Sequence, residues 1–146
     1  MIRLTQKLDS HQAPATTLTL PWEERIRSRL RVVLDNGEEA GLFLERGTVL
    51  RGNDHLASDA GTVVRIQAAN EPLSVVACND ALLMARACYH LGNRHTPVEI
   101  TAGEVRYLND PVLDQMVKGL GLEVRREQGP FEPELGAYAG KGHHHG

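Results

Sequence analysis

Hydrophobic and polar positions follow different patterns in the two halves of this chain. After a polar lead-in and a short apolar strand at 17–20, residues 25–32 alternate charged and mostly apolar side chains. A period of two is typical of a half-buried strand. The turn at Asp35-Asn36-Gly37 then makes residues 41–44 the expected hairpin partner. Further glycine turns and the lack of a helical period predict an all-β domain over residues 1–71.

The pattern changes after Pro72, where stretches with helical periodicity alternate with short apolar runs. Six elements are predicted: a strand at 73–77, a helix at 81–91, strands at 97–100 and 104–108, a helix from 110 and a strand at 122–125. Asn79 or Asp80 is expected to cap the first helix, and Gly92 to end it. This βαββαβ order predicts an α+β protein with a ferredoxin-like domain over residues 72–135. Both helices would cover one face of the sheet and leave the other open.

The C-terminus is rich in glycine, and residues 129–146 are not expected to fold. Within it we define residues 136–146 as a flexible tail, which carries His143, His144 and His145. A tethered tail raises the local concentration of imidazole near any fixed site on the same chain. A fragment of a purification tag is the alternative explanation, although three histidines followed by a glycine match one poorly.

Composition and charge exclude several classes of protein. Hydrophobic residues make up 41% and charged residues 24% of 146 residues, as in ordinary globular proteins. The formal charge of −3 argues against general nucleic-acid binding, and the acidic excess lies wholly after Asn70. The N-terminus resembles no signal peptide, and no apolar run approaches the roughly 18 residues of a membrane span. Two cysteines, Cys78 and Cys88, are too few for a disulfide framework, so a cytoplasmic location is expected.

Two histidines, His90 and His95, lie at the predicted end of the first helix. They are not an i, i+4 pair, and the chain contains no His-Glu-x-x-His motif. Imidazole suits nickel, copper and zinc. One fixed histidine binds a metal weakly, but two copies that meet at a two-fold axis form a shared site. We therefore predict that the chain carries a metal ion, although a lone His95 before Thr96-Pro97 is also typical of a capping or core histidine.

Four arginines, at 25, 27, 29 and 31, would project from one face of the predicted strand. Such a row repels itself unless acidic groups lie opposite. One hypothesis is that Arg25, Arg27, Arg29 and Arg31 bind an acidic partner segment. The other is a solvated face opposite Glu38 and Glu39.

Residues 87–97, Ala-Cys-Tyr-His-Leu-Gly-Asn-Arg-His-Thr-Pro, resemble the signature of the UreE family of urease accessory nickel metallochaperones. The resemblance covers almost the whole chain. Residues 25–34 and 41–50 resemble the N-terminal domain of that family, and residues 111–116 and the histidine tail match downstream. Where some members carry a His-x-His pair before the second helix, this chain has Asn109 and Pro111, which puts a peripheral metal site in doubt.

The resemblance implies a homodimer whose metal-binding domains meet at His95. It implies Ni(II) as cargo, passed on through the urease accessory GTPase toward the urease apoprotein complex, with partners contacting the N-terminal domain. His143, His144 and His145 would be mobile accessory ligands, with His90 as the other possible second ligand. Cu(II) or Zn(II) could fill the same site in vitro.

Two other functions stay open at this point. A metal-dependent hydrolase needs three firm ligands, an open coordination position and a positioned base, and the sequence supplies one strong ligand. An RNA-recognition module shares the βαββαβ order, but it needs exposed aromatic side chains on its central strands, where only Tyr107 is available.

Overall fold

The computed structural model describes residues 1–136, and these residues form two compact units. The first unit spans Met1–Asn70, and the second begins at Glu71. Each unit has its own sheet and its own buried apolar cluster. The prediction of an α+β protein in two parts is therefore confirmed.

The first unit is built on one six-stranded sheet. Its elements in chain order are β1 Ile2–Lys7, β2 Thr16–Leu20, α1 Trp22–Arg25, β3 Arg29–Val33, β4 Glu39–Phe43, β5 His55–Ser58 and β6 Val63–Ala68. The strand order is β2-β6-β5-β1-β4-β3, in which β1 is parallel to β4 and β2 is parallel to β6. The segment interpreted as a polar lead-in contains β1, whose Leu4 is fully buried in the core of the unit.

The predicted hairpin between β3 and β4 is confirmed. The two strands pair antiparallel from Arg29 opposite Phe43 to Val33 opposite Glu39. The turn between them contains Gly37 at φ +92°, a conformation that glycine adopts without steric cost.

The prediction of one strand over 25–32 is wrong in its first half. Residues Trp22–Arg25 form the short helix α1, and the fully buried Arg25 donates from Nε to the carbonyl of Leu20 at 3.1 Å. Its Nη1 donates to the carbonyl of Leu50 at 3.3 Å. Because buried carbonyls need hydrogen-bond donors, Arg25 has a structural role in the interior of this unit. Arg27 lies between α1 and β3, so the four arginines do not share one face, and only Arg29 and Arg31 lie on β3.

The second unit contains six elements in the predicted order. They are β7 Asn70–Ala77, α2 Ala81–Asn93, β8 Glu99–Thr101, β9 Glu104–Leu108, α3 Pro111–Gly119 and β10 Arg125–Pro130. The sheet order is β10-β7-β9-β8, and β9 is antiparallel to both β7 and β8. Apolar side chains of α2 and α3 pack with Val76, Val105 and Tyr107, so both helices cover one face of the sheet.

The opposite face of this sheet is covered, which corrects the expectation of an open face. On β7, Leu73 and Val75 alternate with the helix-facing Ser74 and Val76, yet they are 0% and 1% exposed. The segment Phe131–Leu135, which we call the strap, follows β10, and its Phe131 is fully buried.

A hydrogen bond shows where the strap runs. The N–H of Glu134 donates to the carbonyl of Val98 at 2.7 Å, just before β8 at the far edge of the sheet from β10. Three strand spacings are about 14 Å, and four extended residues span about 13 Å. The strap therefore crosses the sheet on the face away from the helices. Of the stretch 129–146 that was not expected to fold, residues 129–135 are ordered parts of the second unit.

Within residues 1–136, no helix is both long and apolar enough to cross a membrane.

Candidate metal centre

Helix α2 positions both candidate histidines of the second unit. Asp80 caps its N-terminus, because Oδ1 accepts from the N–H groups of Leu82 at 3.0 Å and Leu83 at 3.1 Å. The helix is held to the sheet by Ala87 and Leu91, which are fully buried. The C-terminal end of α2 is therefore fixed relative to the sheet.

The helix ends in a tight hydrogen-bonded turn that places His95. The N–H of His95 donates to the carbonyl of Gly92 at 2.9 Å, and the N–H of Thr96 donates to that of Leu91 at 3.3 Å. This pair of bonds is the Schellman motif, whose first residue past the cap takes a left-handed conformation and is usually glycine. Here that residue is His95, at φ +59°. Gly92 lies inside the helix, so the prediction that Gly92 ends it is wrong.

His95 is available as a metal ligand. Its side chain is exposed and makes no hydrogen bond or ion pair with any residue from 1 to 136. Its backbone is held by the turn, whereas both ring nitrogens can face solvent or a second chain. The exposure of the His95 side chain excludes the alternative of a core histidine. Only the backbone N–H of His95 takes part in the helix cap.

His90 lies in the last turn of α2 and is half-buried. Its ring meets that of Tyr89 edge to face, with the centroids 5.1 Å apart. Cys88, two residues before His90, is also half-buried, and this burial raises the pKa of its thiol.

The described part of the chain does not assemble a complete metal site. Among residues 1–136, no group of three or more histidine, cysteine, aspartate or glutamate side chains is arranged to hold an ion. The predicted accessory ligands His143, His144 and His145 lie outside the described residues. A site at His95 with three or more protein ligands must therefore draw at least one of them from residues 137–146 or from another chain.

The strap brings the start of the tail to the same side of the unit as His95. Its Glu134 is bonded to Val98, three residues after His95 in the chain, and the N–H of Glu132 donates to Glu99 Oε1 at 2.9 Å. The sequence did not predict this proximity, because it depends on the path of the strap over the sheet.

Asn109 and Pro111, the positions at which this chain lacks a His-x-His pair, have structural roles. Asn109 donates from Nδ2 to Ser74 Oγ at 3.0 Å, and both side chains bond to the buried carboxylate of Asp114. Pro111 is the first residue of α3, whose N-cap is Asp110. The side-chain amide of Asn109 is thus hydrogen-bonded within the second unit.

Tyr107 belongs to the same buried network. It is fully buried on the helix-covered face of the sheet, and its hydroxyl donates to Asp114 Oδ1 at 2.7 Å. Burial and the adjacent carboxylate raise the pKa of Tyr107 well above its usual value. Because a buried ring cannot stack on a base, the RNA-recognition hypothesis loses the one aromatic residue on which it depended.

Helix α2 exposes two large apolar side chains on one side. Leu82 and Tyr89, seven residues apart and hence on the same side of the helix, are 59% and 67% exposed. Large apolar side chains grouped on one exposed helix face often mark a protein-protein contact.

Comparison with known proteins places both units in one family. Residues 2–69 match the N-terminal domain, and residues 71–146 the C-terminal domain, of the UreE urease accessory protein. A protein from Citrobacter koseri named urease accessory protein UreE is 54% identical over 100% of this chain and 98% of its own length. Proteins of the same name from Tolumonas auensis and Pseudomonas putida are 58% and 56% identical, over 94% and 98% of this chain and 76% and 89% of their own lengths.

Proposed function

The chain belongs to the UreE family of urease accessory proteins, and we propose that it is a nickel metallochaperone that binds Ni(II) as a homodimer and delivers it for assembly of the urease active site. The observation that carries this proposal is His95, an exposed imidazole without a partner in the described chain, held on a rigid helix end. Ni(II) is cargo here, so the protein acts by binding and releasing an ion, and no catalytic residue is assigned.

The dimer supplies the second fixed ligand. Leu82 and Tyr89 are exposed on one side of α2, and His95 follows the C-terminal end of this helix. Two copies that pack this side of α2 across a two-fold axis near the helix end would bring their His95 side chains together. An isologous contact of this kind converts one weak ligand per chain into a pair. Residues 72–135 are on this proposal the metal-binding and dimerisation domain. Its element order and its sheet order support a ferredoxin-like fold.

The tail supplies mobile ligands, and its position favours it over His90. Seven residues separate Leu135 from His143, so eight extended steps of the chain can carry His143 up to about 28 Å from the strap. The strap ends beside Val98, close in sequence to His95. His90 is half-buried and engaged with Tyr89, which makes it the weaker candidate.

Transfer of the ion requires that the site stay incomplete. Open coordination positions and mobile imidazoles allow the ion to leave as well as to arrive, and acid would promote its release because protons compete with the metal for the imidazole nitrogens. The urease accessory GTPase and the urease apoprotein complex are the proposed recipients, in the cytoplasm. Since copper binds any nitrogen site more tightly than nickel, Cu(II) and Zn(II) are expected to compete in vitro.

Calorimetric titration with Ni(II) tests the proposal. The wild-type protein should bind one tight Ni(II) per two chains, and His95→Ala should abolish that site. His90→Ala is the matched control, from the same helix end, and should retain it. Unchanged tight binding in His95→Ala, or a metal-bound monomer in equilibrium sedimentation, would rule out the shared site.

A further inference from the structure

The outer face of β1, β4 and β3 in the first unit carries three arginines and one aromatic ring. The Cζ of Arg3 lies 4.3 Å from the centroid of the Phe43 ring, and the Cζ of Arg29 lies 5.5 Å from it. Strand register places Gly41 beside both Arg3 and Arg31. All three arginines are exposed. We call Arg3, Arg29, Arg31 and Phe43 the arginine face.

Gly41 explains how the ring takes this position. A Cβ atom on Gly41 would lie 2.7 Å from Cε2 of Phe43, closer than carbon atoms approach without displacement. Only glycine lets the ring lie over the strand at this point. The ring is thereby held under the guanidinium groups, which are attracted to its π face.

Two of the three charges on this face have no acidic partner. Arg3 pairs with Asp59 at 3.2 Å. Arg29 and Arg31 form no ion pair with any residue of the described chain. The solvated-face hypothesis relied on Glu38 and Glu39, but Glu38 accepts from Asn36 at 2.7 Å, and Glu39 forms no ion pair with any residue from 1 to 136.

We propose that the arginine face docks an acidic, extended segment of a partner protein, with carboxylates two residues apart. Arg29 and Arg31 are two residues apart on one strand, so their Cα atoms are about 6.7 Å apart along it. An extended peptide repeats its side chains at the same spacing. The planar guanidinium matches a carboxylate through two parallel hydrogen bonds. The exposed Met1 and Val33 border the face and supply apolar contact for the residues between the carboxylates.

This surface shares no residue with the candidate metal centre, because all of its residues belong to the first unit. It also replaces the four-arginine strip expected from sequence: Arg29 and Arg31 are retained, Arg25 and Arg27 are removed, and Arg3 and Phe43 are added. Charge complementarity of this kind acts mainly on the association rate and on the choice of partner.

The test is fluorescence anisotropy of the full-length protein with a labelled heptapeptide, Gly-Glu-Val-Glu-Val-Glu-Gly. The double variant Arg29→Glu with Arg31→Glu should weaken binding by at least about tenfold, whereas Arg46→Glu, at an exposed arginine that is not one of the residues of this face, should change it less than about twofold. A peptide with glutamine for glutamate should not bind. A peptide of the same composition with its three glutamates adjacent should bind more weakly.

Four results would overturn the proposal: no binding of the acidic peptide, equal binding of the glutamine peptide, an equal loss in Arg46→Glu, or tighter binding of oligouridylate than of the peptide. Circular dichroism and Ni(II) titration of each variant separate this result from the metallochaperone proposal. The arginine variants should retain wild-type Ni(II) binding, and His95→Ala should retain peptide binding.

Discussion

The backbone N–H of His95 donates to the carbonyl of Gly92 at 2.9 Å, and this bond holds His95 at φ +59°. For a residue with a Cβ atom that conformation costs about 1 kcal/mol or more, whereas glycine adopts it freely. The chain therefore places its candidate metal ligand at a position where glycine would be more stable. Strain retained at such a position is often part of a functional site. The consequence can be measured.

Replacing His95 by glycine should stabilise the second unit while it removes the candidate ligand. We expect His95→Gly to raise the free energy of unfolding by about 1 kcal/mol over His95→Ala. Both variants lack the imidazole and differ only in the Cβ atom, so alanine is the matched control. Urea denaturation measures the difference, and equal stabilities would show that the left-handed turn carries no strain.

The hydroxyl of Tyr107 should matter for stability because its acceptor is buried. It donates to Asp114 Oδ1 at 2.7 Å, and the side chain of Ser74 donates to the same oxygen. Tyr107→Phe leaves this carboxylate with one donor fewer, and we expect a loss of about 2 kcal/mol. Tyr89→Phe, at a ring that is 67% exposed, is the control and should change stability by less than about 0.5 kcal/mol. Equal effects in thermal unfolding would contradict the network.

Acid should weaken the second unit through Glu104. The neighbouring Arg106, and then Arg125, hold the pKa of this carboxyl below its ordinary value of 4.5. A lowered folded-state pKa stabilises the fold above the ordinary pKa, and this contribution is lost as the pH falls below 4.5 through the folded value. We therefore expect Glu104→Gln to be less stable than wild type at pH 7 and to lose less stability between pH 5 and about 3. Parallel stability curves for the two proteins would refute this.

The strap should be required for the second unit, and the residues after it should not. Phe131 is fully buried, and removing a buried phenylalanine side chain costs about 3–5 kcal/mol, so we expect Phe131→Ala to approach this loss. Leu135→Ala, in the same segment but 42% exposed, should cost far less. A chain ending at residue 130 should unfold at lower denaturant concentration than a chain ending at residue 136. If both truncated chains matched wild type, the covered face would not depend on the strap.

Deleting residues 142–146 should separate the tail from the fixed ligand. We expect loss or weakening of the secondary Ni(II) sites, since His143, His144 and His145 are removed. The tight site and the dimer should remain, because both are proposed to rest on α2 and His95. Calorimetry and equilibrium sedimentation measure the two properties on the same protein. A truncated monomer would place the dimer contact in the tail instead.

Local features of this fold could be predicted from sequence because they depend on neighbours a few residues away. Asp80 and Asp110 each accept backbone N–H groups two and three residues ahead, as expected from acidic residues before a helix. The turn at Gly37 and the order of the six elements in the second unit follow from the same short-range patterns. The choice of His95 as the candidate ligand also came from sequence, through the motif around it, and its role as a ligand stays a proposal.

Other features were decided by contacts between residues far apart in the chain. Arg25 fits the alternating pattern of a strand. In the structure, however, its side chain is buried and donates to the carbonyl of Leu50, twenty-five residues later in the chain. In the sequence, the strap resembles the beginning of a tail. In the structure, Phe131 is buried and the N–H of Glu134 donates to the carbonyl of Val98, so the strap covers the sheet face away from the helices. The arginine face needs β1 and β3 on either side of β4. A pattern along the chain records which side chains can be buried, whereas the packed sheets determine which ones are, because burial and hydrogen bonding are satisfied in three dimensions.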